Sequence, residues 1–348
     1  SMYDITIIGA GASGLMAASI LQKEKNLKIC IIDKNNKIGA KIKVSGGGKC
    51  NITNKYLNAS FYLGDKQFIE NIFKQFDNNS LLKFLKLNNL DPIVNEKIVK
   101  GTYFCNSSDE VITLFSKLTN GCDFLLENEV LAVDYINEEY FITTNKKKIK
   151  SKKLIIGTGG LSYTTLGATD IGYKVAQKFG HTIISPNPAL VGFTVQKEQF
   201  WFKELSGLSM DVRIKVDDKI LEGSFLFTHK GCSGPVILST SLYWKKGQIE
   251  VDFNPSKERY LPKRFKQAIK DLDIDIHSFK FSPAGNFGYT KAEVTKGGID
   301  VGELDENLQS KFQKGLFFIG EVVDVTGELG GYNFQWAFSS GYCCAKSF

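Results

Sequence analysis

The chain has 348 residues, 43% of them hydrophobic, and a formal net charge of +7. That is enough to bury a substantial core, and it excludes a disordered or fibrous protein. No run of about eighteen apolar residues occurs, and the chain passes into a strand-like segment at Tyr3 to Ile8 without a charged leader and apolar signal region, so a cytoplasmic protein without a membrane span is expected.

The positive charge is nearly all lysine, the only arginines being Arg213, Arg259 and Arg264. Phosphate and base readout favour Arg forks, so the lysines read as solvated faces and a nucleic-acid partner is not expected. Seven cysteines form no C-x-x-C pair, and the three histidines, His181, His229 and His277, are scattered. Buried free thiols and no metal site are therefore expected.

In chain order, an apolar strand (Ile5 to Ile8), a helical stretch (Ser13 to Glu24) and a β-rich run (Ile29 to Asp33) make a βαβ unit. Its first turn is Gly9-Ala10-Gly11-Ala12-Ser13-Gly14. Gly9 permits the tight turn, Gly11 lets the backbone approach a pyrophosphate, Gly14 lets helix and strand pack closely, and the helix N-terminus offers N–H donors to the anion. Asp33 ends the second strand where an acid accepts hydrogen bonds from ribose hydroxyls, which disfavours a 2′-phosphate and leaves FAD or NAD.

A glycine loop follows at Ser45 to Gly48, and helical spacing runs from Lys66 to Leu90, with Asn78, Asn79 and Ser80 as the expected break and source of caps. Between Val111 and Phe141 a helix gives way to short strands, and the strand Leu154 to Ile156 ends at Gly157-Thr158-Gly159-Gly160. A Pro-rich stretch, Ser185 to Leu190, reads as a boundary. We expect a first part of an FAD domain over 1–190, an inserted mostly-β domain over 191–291, and a return over 292–348.

The return decides between FAD and NAD. The strand Leu316 to Ile319 ends in Gly320-Glu321, and Gly330-Gly331-Tyr332-Asn333 then opens the last helix. A second acid-tipped strand suits a flavin's ribityl chain, and a helix N-terminus suits the pyrimidine edge where reduced flavin gathers negative charge. A nicotinamide-only enzyme has no use for this second apparatus. Asp324 reads as a turn or capping acid.

The runs Lys41 to Asn54, Thr158 to Gly172, Phe227 to Pro235 and Gly315 to Gly341 resemble the BaiN-like, or aminoacetone-oxidase-like, family of FAD-dependent oxidoreductases. The resemblance covers nearly the whole chain. It implies an α/β fold: a glutathione-reductase-type Rossmann-like FAD domain with an inserted β-barrel-like domain and, because Ser256 to Lys280 is short for the family, a reduced helical module. It implies FAD contacts at Gly9, Gly11, Gly14, Asp33, Lys41, Ser45, Gly46, Gly47, Gly48, Cys50, Asn51, Gly159, Gly320, Glu321 and Asn333. Flanking contacts are expected at Ala12, Ser13, Lys34, Val130, Thr158, Gly160, Gly331 and Tyr332. The chain departs from the family at Asp33, commonly Glu, at Thr164-Thr165, at Asp170-Ile171-Gly172 and at Gly101 to Cys105, so substrate identity is not inherited.

Cys50 reads as a small packing residue rather than a redox nucleophile. His229, in a Thr-His-Lys-Gly turn, is the candidate catalytic acid for a carbonyl or enone substrate, with a structural histidine as its rival. Tyr163 and Tyr332 are proton-donor or packing candidates. With one dinucleotide fingerprint, NAD(P)H would visit the flavin transiently. The expected reaction is hydride transfer from NAD(P)H through flavin N5 to a C=C or C=O of a small molecule. An amine oxidase that uses oxygen, a flavin-dependent RNA-modifying or RNA-binding protein and a non-catalytic flavin sensor stay open.

Overall fold

A computed structural model describes residues 2–24, 26–258 and 260–348; Ser1, Lys25 and Arg259 lie outside the described residues. The chain divides into two compact units, the first built from 1–96, 100–187 and 295–348, the second from 97–99 and 188–294.

The first unit opens with β1 (Met2–Ile8), α1 (Ala12–Glu24) and β2 (Ile29–Ile32), followed by α2 (Ala40–Val44) and β3 (Asn51–Asn54). Next come β4 (Tyr62–Leu63), α3 (Lys66–Gln75), α4 (Asn78–Leu87), β5 (Ile93–Asn95), β6 (Thr102–Phe104), α5 (Ser108–Leu118) and β7 (Asp123–Leu125). A meander of β8 (Val130–Ile136), β9 (Glu139–Thr144) and β10 (Lys148–Ile156) leads to α6 (Ile171–Lys178) and β11 (Ile183–Ala189). The main sheet runs β7-β2-β1-β10-β9-β8. β2 is buried at every position, and β1 and β10 are continuously buried over Ile5 to Ile8 and Leu154 to Ile156, the pattern of parallel strands covered on both faces.

One local expectation is corrected. The break between α3 and α4 falls at Phe76-Asp77: the Asp77 carboxylate accepts from Ser80 N–H at 2.9 Å, so Asp77 is the cap and Asn78 to Ser80 are the first turn of α4. The Pro-rich stretch Ser185 to Leu190 runs mostly in β11 and contains the point, between 187 and 188, where the two units divide; β11 belongs to a two-stranded sheet, where proline removes no central ladder bond.

The second unit holds β12 (Phe193–Val195), β13 (Ser209–Val216), β14 (Lys219–Phe227), β15 (Gly231–Ser233), α7 (Pro235–Tyr243), β16 (Ile249–Asp252), α8 (Lys263–Ile269), β17 (Phe279–Phe281) and β18 (Pro283–Asn286). These strands form one antiparallel sheet in the order β17-β16-β13-β14-β15-β12-β18. Along β13 strict alternation turns Met210, Val212, Ile214 and Val216 inward. Phe202, Phe225, Phe227, Phe253 and Phe281 are fully buried and meet edge to face or stacked, an aromatic cluster at the centre of this unit's core. The short α8 is the helix found in the stretch read as a reduced helical module.

The chain returns through β19 (Val294–Ile299), β20 (Leu316–Phe318), β21 (Thr326–Gly327) and α9 (Tyr332–Lys346). β20 pairs in parallel with β10, so Ile8, Ile156 and Phe318 stand side by side in adjacent strands. α9 lies on α1 so closely that a Cβ on Gly341 would come within 2.4 Å of the Ser13 carbonyl oxygen. This explains why Ala12 to Leu21 are buried all round the helix.

A buried Ser-His-Glu arrangement also occurs in this unit: His181 Nε2 is 2.6 Å from Ser310 Oγ, and Nδ1 is 3.3 Å from Glu303 Oε1. The Ser310 oxygen already accepts the Phe312 and Gln313 N–H groups, so its proton points at the imidazole and it has no freedom to act as a nucleophile. Desolvation lowers the His181 pKa, which keeps the ring neutral in this lock.

Candidate flavin site

All the expected cofactor residues fall in the first unit: Gly9 to Gly14, Thr158 to Gly160 and Gly320-Glu321 follow the carboxyl ends of β1, β10 and β20, Asp33 and Lys34 follow β2, Lys41 lies in α2, Ser45 to Asn51 lead into β3, Val130 opens β8, and Gly331 to Asn333 open α9. At Gly9, with φ +116°, an added Cβ would lie 2.0 Å from the Gly157 oxygen, and at Gly14 it would lie 2.0 Å from the Gly9 oxygen. Those two glycines are demanded by the protein's own packing. Gly11 is different: a Cβ there meets nothing within 4 Å. The open space stands before the first turn of α1, whose N–H groups lack helical partners, as a pyrophosphate cradle requires.

Asp33 first orders the loop it was expected to complement. Its Oδ2 accepts from Ala10 N–H at 2.8 Å and its Oδ1 from Asn35 N–H at 2.8 Å. Each carboxylate oxygen keeps a lone-pair direction for a ribose hydroxyl. The Asp33 carbonyl accepts from Asn128 N–H, and Lys34 Nζ lies 3.9 Å from Glu129, which brings the segment leading to Val130 beside the adenosine end.

The central part is one closed network. Glu321 Oε2 accepts from Lys41 Nζ at 2.6 Å and from Gly160 N–H at 3.0 Å, while Oε1 accepts from Thr295 N–H at 2.8 Å. Thr295 Oγ1 in turn accepts from the N–H groups of Leu161 and Ser162. Glu321 thus turns inward to hold the Thr158-Gly159-Gly160 turn and Lys41. Nothing in the sequence marks Thr295 for this task. The Gly297-Gly298 pair that follows it is a signal of close approach: a Cβ on Gly298 would meet the Val322 oxygen at 2.3 Å.

Gly320 is pinned from both sides, its N–H donating to Ser340 Oγ at 2.9 Å and its carbonyl accepting from Trp336 Nε1 at 3.0 Å. A Cβ there would lie 2.6 Å from Ser13 Oγ, so the amino-terminal fingerprint and the carboxy-terminal motif do meet. Ser340 and Trp336 were not singled out in the sequence, because they are two more polar and aromatic positions on a buried helix.

At the other end, Gly331 (φ +91°) caps α9 with its Cα against β3, where a Cβ would sit 2.3 Å from the Thr53 oxygen. Asn54 Nδ2 donates to the Gly330 carbonyl at 3.0 Å, and Thr53 Oγ1 pairs with Gln335 Oε1 at 2.5 Å. The loop Ser45 to Asn51 is thereby held beside the start of α9. Asn333 closes its side-chain amide on both backbone groups of Gly327 at 2.8 Å, leaving its main-chain N–H in the first helical turn for a ligand. Tyr332 is buried and donates to the Tyr56 carbonyl, and burial raises its phenol pKa, which removes it as a ready proton donor. Tyr163 lies under Lys41 Nζ, 5.4 Å from the ring centroid.

Cys50 is fully buried with φ +55°, and burial pushes its thiol up to about 12. Asp324 is half-buried; burial, with Asp300 nearby, pushes its carboxyl up to about 6. His229 lies in the second unit, exposed, in a tight turn where Thr228 N–H donates to the Gly231 carbonyl at 3.0 Å. No helix of the described residues is long and apolar enough to cross a membrane.

These residues fit FAD: open backbone at Gly11, an acid at the adenosine end, and a helix start at the far end, all on neighbouring strand termini. The family model described as HI0933-like protein Rossmann domain matches residues 3–347. The ribosomal RNA dihydrouridine synthase of Haemophilus influenzae is 36% identical over 98% of this chain and 97% of its own length, and that of Escherichia coli is 33% identical over 99% and 97%. The 3-dehydro-bile acid delta(4,6)-reductase of Clostridium scindens is 26% identical over 99% of both chains. Among solved structures, 3-ketosteroid-delta4-(5alpha)-dehydrogenase from Rhodococcus jostii superposes with a TM-score of 0.57 at 9% identity, covering 99% of this chain and 96% of that one, which shows a shared fold. The chain belongs to the HI0933-like family and is an FAD-dependent oxidoreductase.

Proposed function

We propose that this enzyme, reduced by NAD(P)H, saturates a carbon–carbon double bond conjugated to a carbonyl, and that its substrate is a uridine of ribosomal RNA. The observation that carries this reading is 36% identity over 98% of the chain to a protein named ribosomal RNA dihydrouridine synthase. Making dihydrouridine saturates the C5=C6 bond of uracil, and the bile-acid relative is likewise named for reducing double bonds. The bond class is therefore common to both names, while the higher identity favours RNA over a steroid. The net charge of +7 suits a polyanionic substrate even without Arg forks.

When bound, FAD supplies hydride transfer from its N5 position, and the chain must supply a proton to the neighbouring carbon. Two groups have the chemistry for that proton. His229 is exposed on a rigid turn, and Asp324 carries a carboxyl pushed up to about 6, which keeps a protonated fraction near neutrality. Loss of the group that gives this proton should slow oxidation of the reduced enzyme by substrate roughly 10²- to 10⁴-fold and leave reduction by NAD(P)H unchanged, while loss of the other should leave both steps unchanged.

The test is anaerobic reduction with NADH and with NADPH, followed by addition of ribosomal RNA lacking the modification, free uridine or a steroid enone. Reoxidation by RNA with a mass gain of two hydrogens on one uridine supports the reading. Reoxidation by the steroid alone, or no bleaching by either nicotinamide, defeats it.

A further inference from the structure

β3, β6 and β5 form a three-stranded antiparallel sheet in the first unit, with Asn54 opposite Thr102 and Val94 opposite Tyr103. Just beyond β3 the Tyr56 side chain is open to solvent, the residue being 39% exposed, although its backbone is fixed at both ends. Its N–H donates to Asn54 Oδ1 at 2.9 Å, and its carbonyl accepts from the Tyr332 hydroxyl at 3.2 Å. The ring rests on Gly101, where a Cβ would come within 2.7 Å of it. Lys100 Nζ lies 4.9 Å and Lys55 Nζ 5.7 Å from its centroid. Three residues beyond Gly101, roughly 10 Å of extended chain, Phe104 carries Lys49 Nζ at 5.6 Å.

Among the described residues, none of these three ammonium groups has a carboxylate within 4 Å. An exposed ring on a fixed backbone, bracketed by unneutralised cations, matches what single-stranded nucleic acid needs: a face for a base to stack on and charges for the phosphates on either side. Lysines act as point charges without the bidentate fork of arginine, which suits phosphate contacts and positioning. The place is also right. Tyr56 is bonded to Tyr332, the first residue of α9, and Lys49 ends the glycine run of the flavin loop.

We propose that this sheet docks the single-stranded RNA flanking the target uridine, with Tyr56 as stacking platform and Lys49, Lys55 and Lys100 as phosphate contacts. This surface rests on the RNA reading above and adds where the RNA lies. The probe is a labelled single-stranded RNA of about a dozen nucleotides, cut from the ribosomal RNA, titrated by fluorescence anisotropy over a salt series. Tyr56→Ala should weaken binding roughly 5- to 150-fold while Tyr56→Phe retains it. The double variant Lys55→Gln/Lys100→Gln should lower the slope of log affinity against log salt by about 1.4. These variants should keep FAD, since Tyr56, Lys55 and Lys100 are not among the residues assigned to the flavin. Wild-type affinity and slope in the variants, with dihydrouridine still formed, would remove this surface and leave the function standing. A wild-type enzyme that neither binds the RNA nor forms dihydrouridine overturns both.

Discussion

Lys41 Nζ donates a 2.6 Å hydrogen bond to Glu321 Oε2 across 280 positions of sequence. The carboxylate also accepts two backbone N–H groups, so three segments of the flavin domain hang on one side chain. Glu321→Gln replaces an acceptor oxygen by an amide that faces an N–H donor. We expect a loss of about 2 kcal/mol in urea unfolding and weaker FAD retention. Unchanged values for both would show that the network carries no strain-bearing role.

Gly11 and Gly14 should fail differently. The space before Gly11 is empty of protein, so Gly11→Val should yield a folded protein that loses its flavin absorbance. At Gly14 the clash is with the Gly9 backbone, so Gly14→Ala should lower stability by about 1–3 kcal/mol whether or not FAD is present. A yellow Gly11→Val protein would contradict the pyrophosphate assignment.

Asp324 gives stability a pH dependence of definite sign. Its folded pKa, about 6, lies above the model-peptide value of 3.8, so the folded state binds the extra proton between those values. Stability from this group is therefore highest below about pH 4 and declines as pH rises through about 6. Asp324→Asn should raise Tm at pH 8 and leave it unchanged at pH 4; an equal shift at both would place the cause in packing.

All seven cysteines are buried, and burial pushes the Cys50 and Cys105 thiols up to about 12. Ellman's reagent should find no fast-reacting thiol in the native enzyme and seven after unfolding. Cys50→Ala should keep turnover, and abolished turnover with FAD retained would restore a redox role.

The βαβ unit, the flavin loop and the final helix were legible because glycine spacing and uninterrupted apolar runs are local properties. Asp33 was legible for the same reason: it ends a strand at a set distance from the fingerprint. Its bond to Ala10 N–H was not, since that depends on how the loop closes over the carboxylate. Glu321 was legible as the acid at the tip of a strand, but its bonds to Lys41, Gly160 and Thr295 were not, because a side chain's partners at a strand end are set by neighbours remote in sequence.

By itself the sequence determined which segments become parallel strands and helix starts, because hydrogen-bonded backbone and apolar periodicity act over a few residues. Only the tertiary structure decided that β20 enters beside β10, that Gly320 presses on Ser13, and that Thr295 closes the network around Glu321. Those contacts join residues that the chain keeps far apart, and they are chosen by the packing of the whole sheet and its covering helices rather than by any local preference.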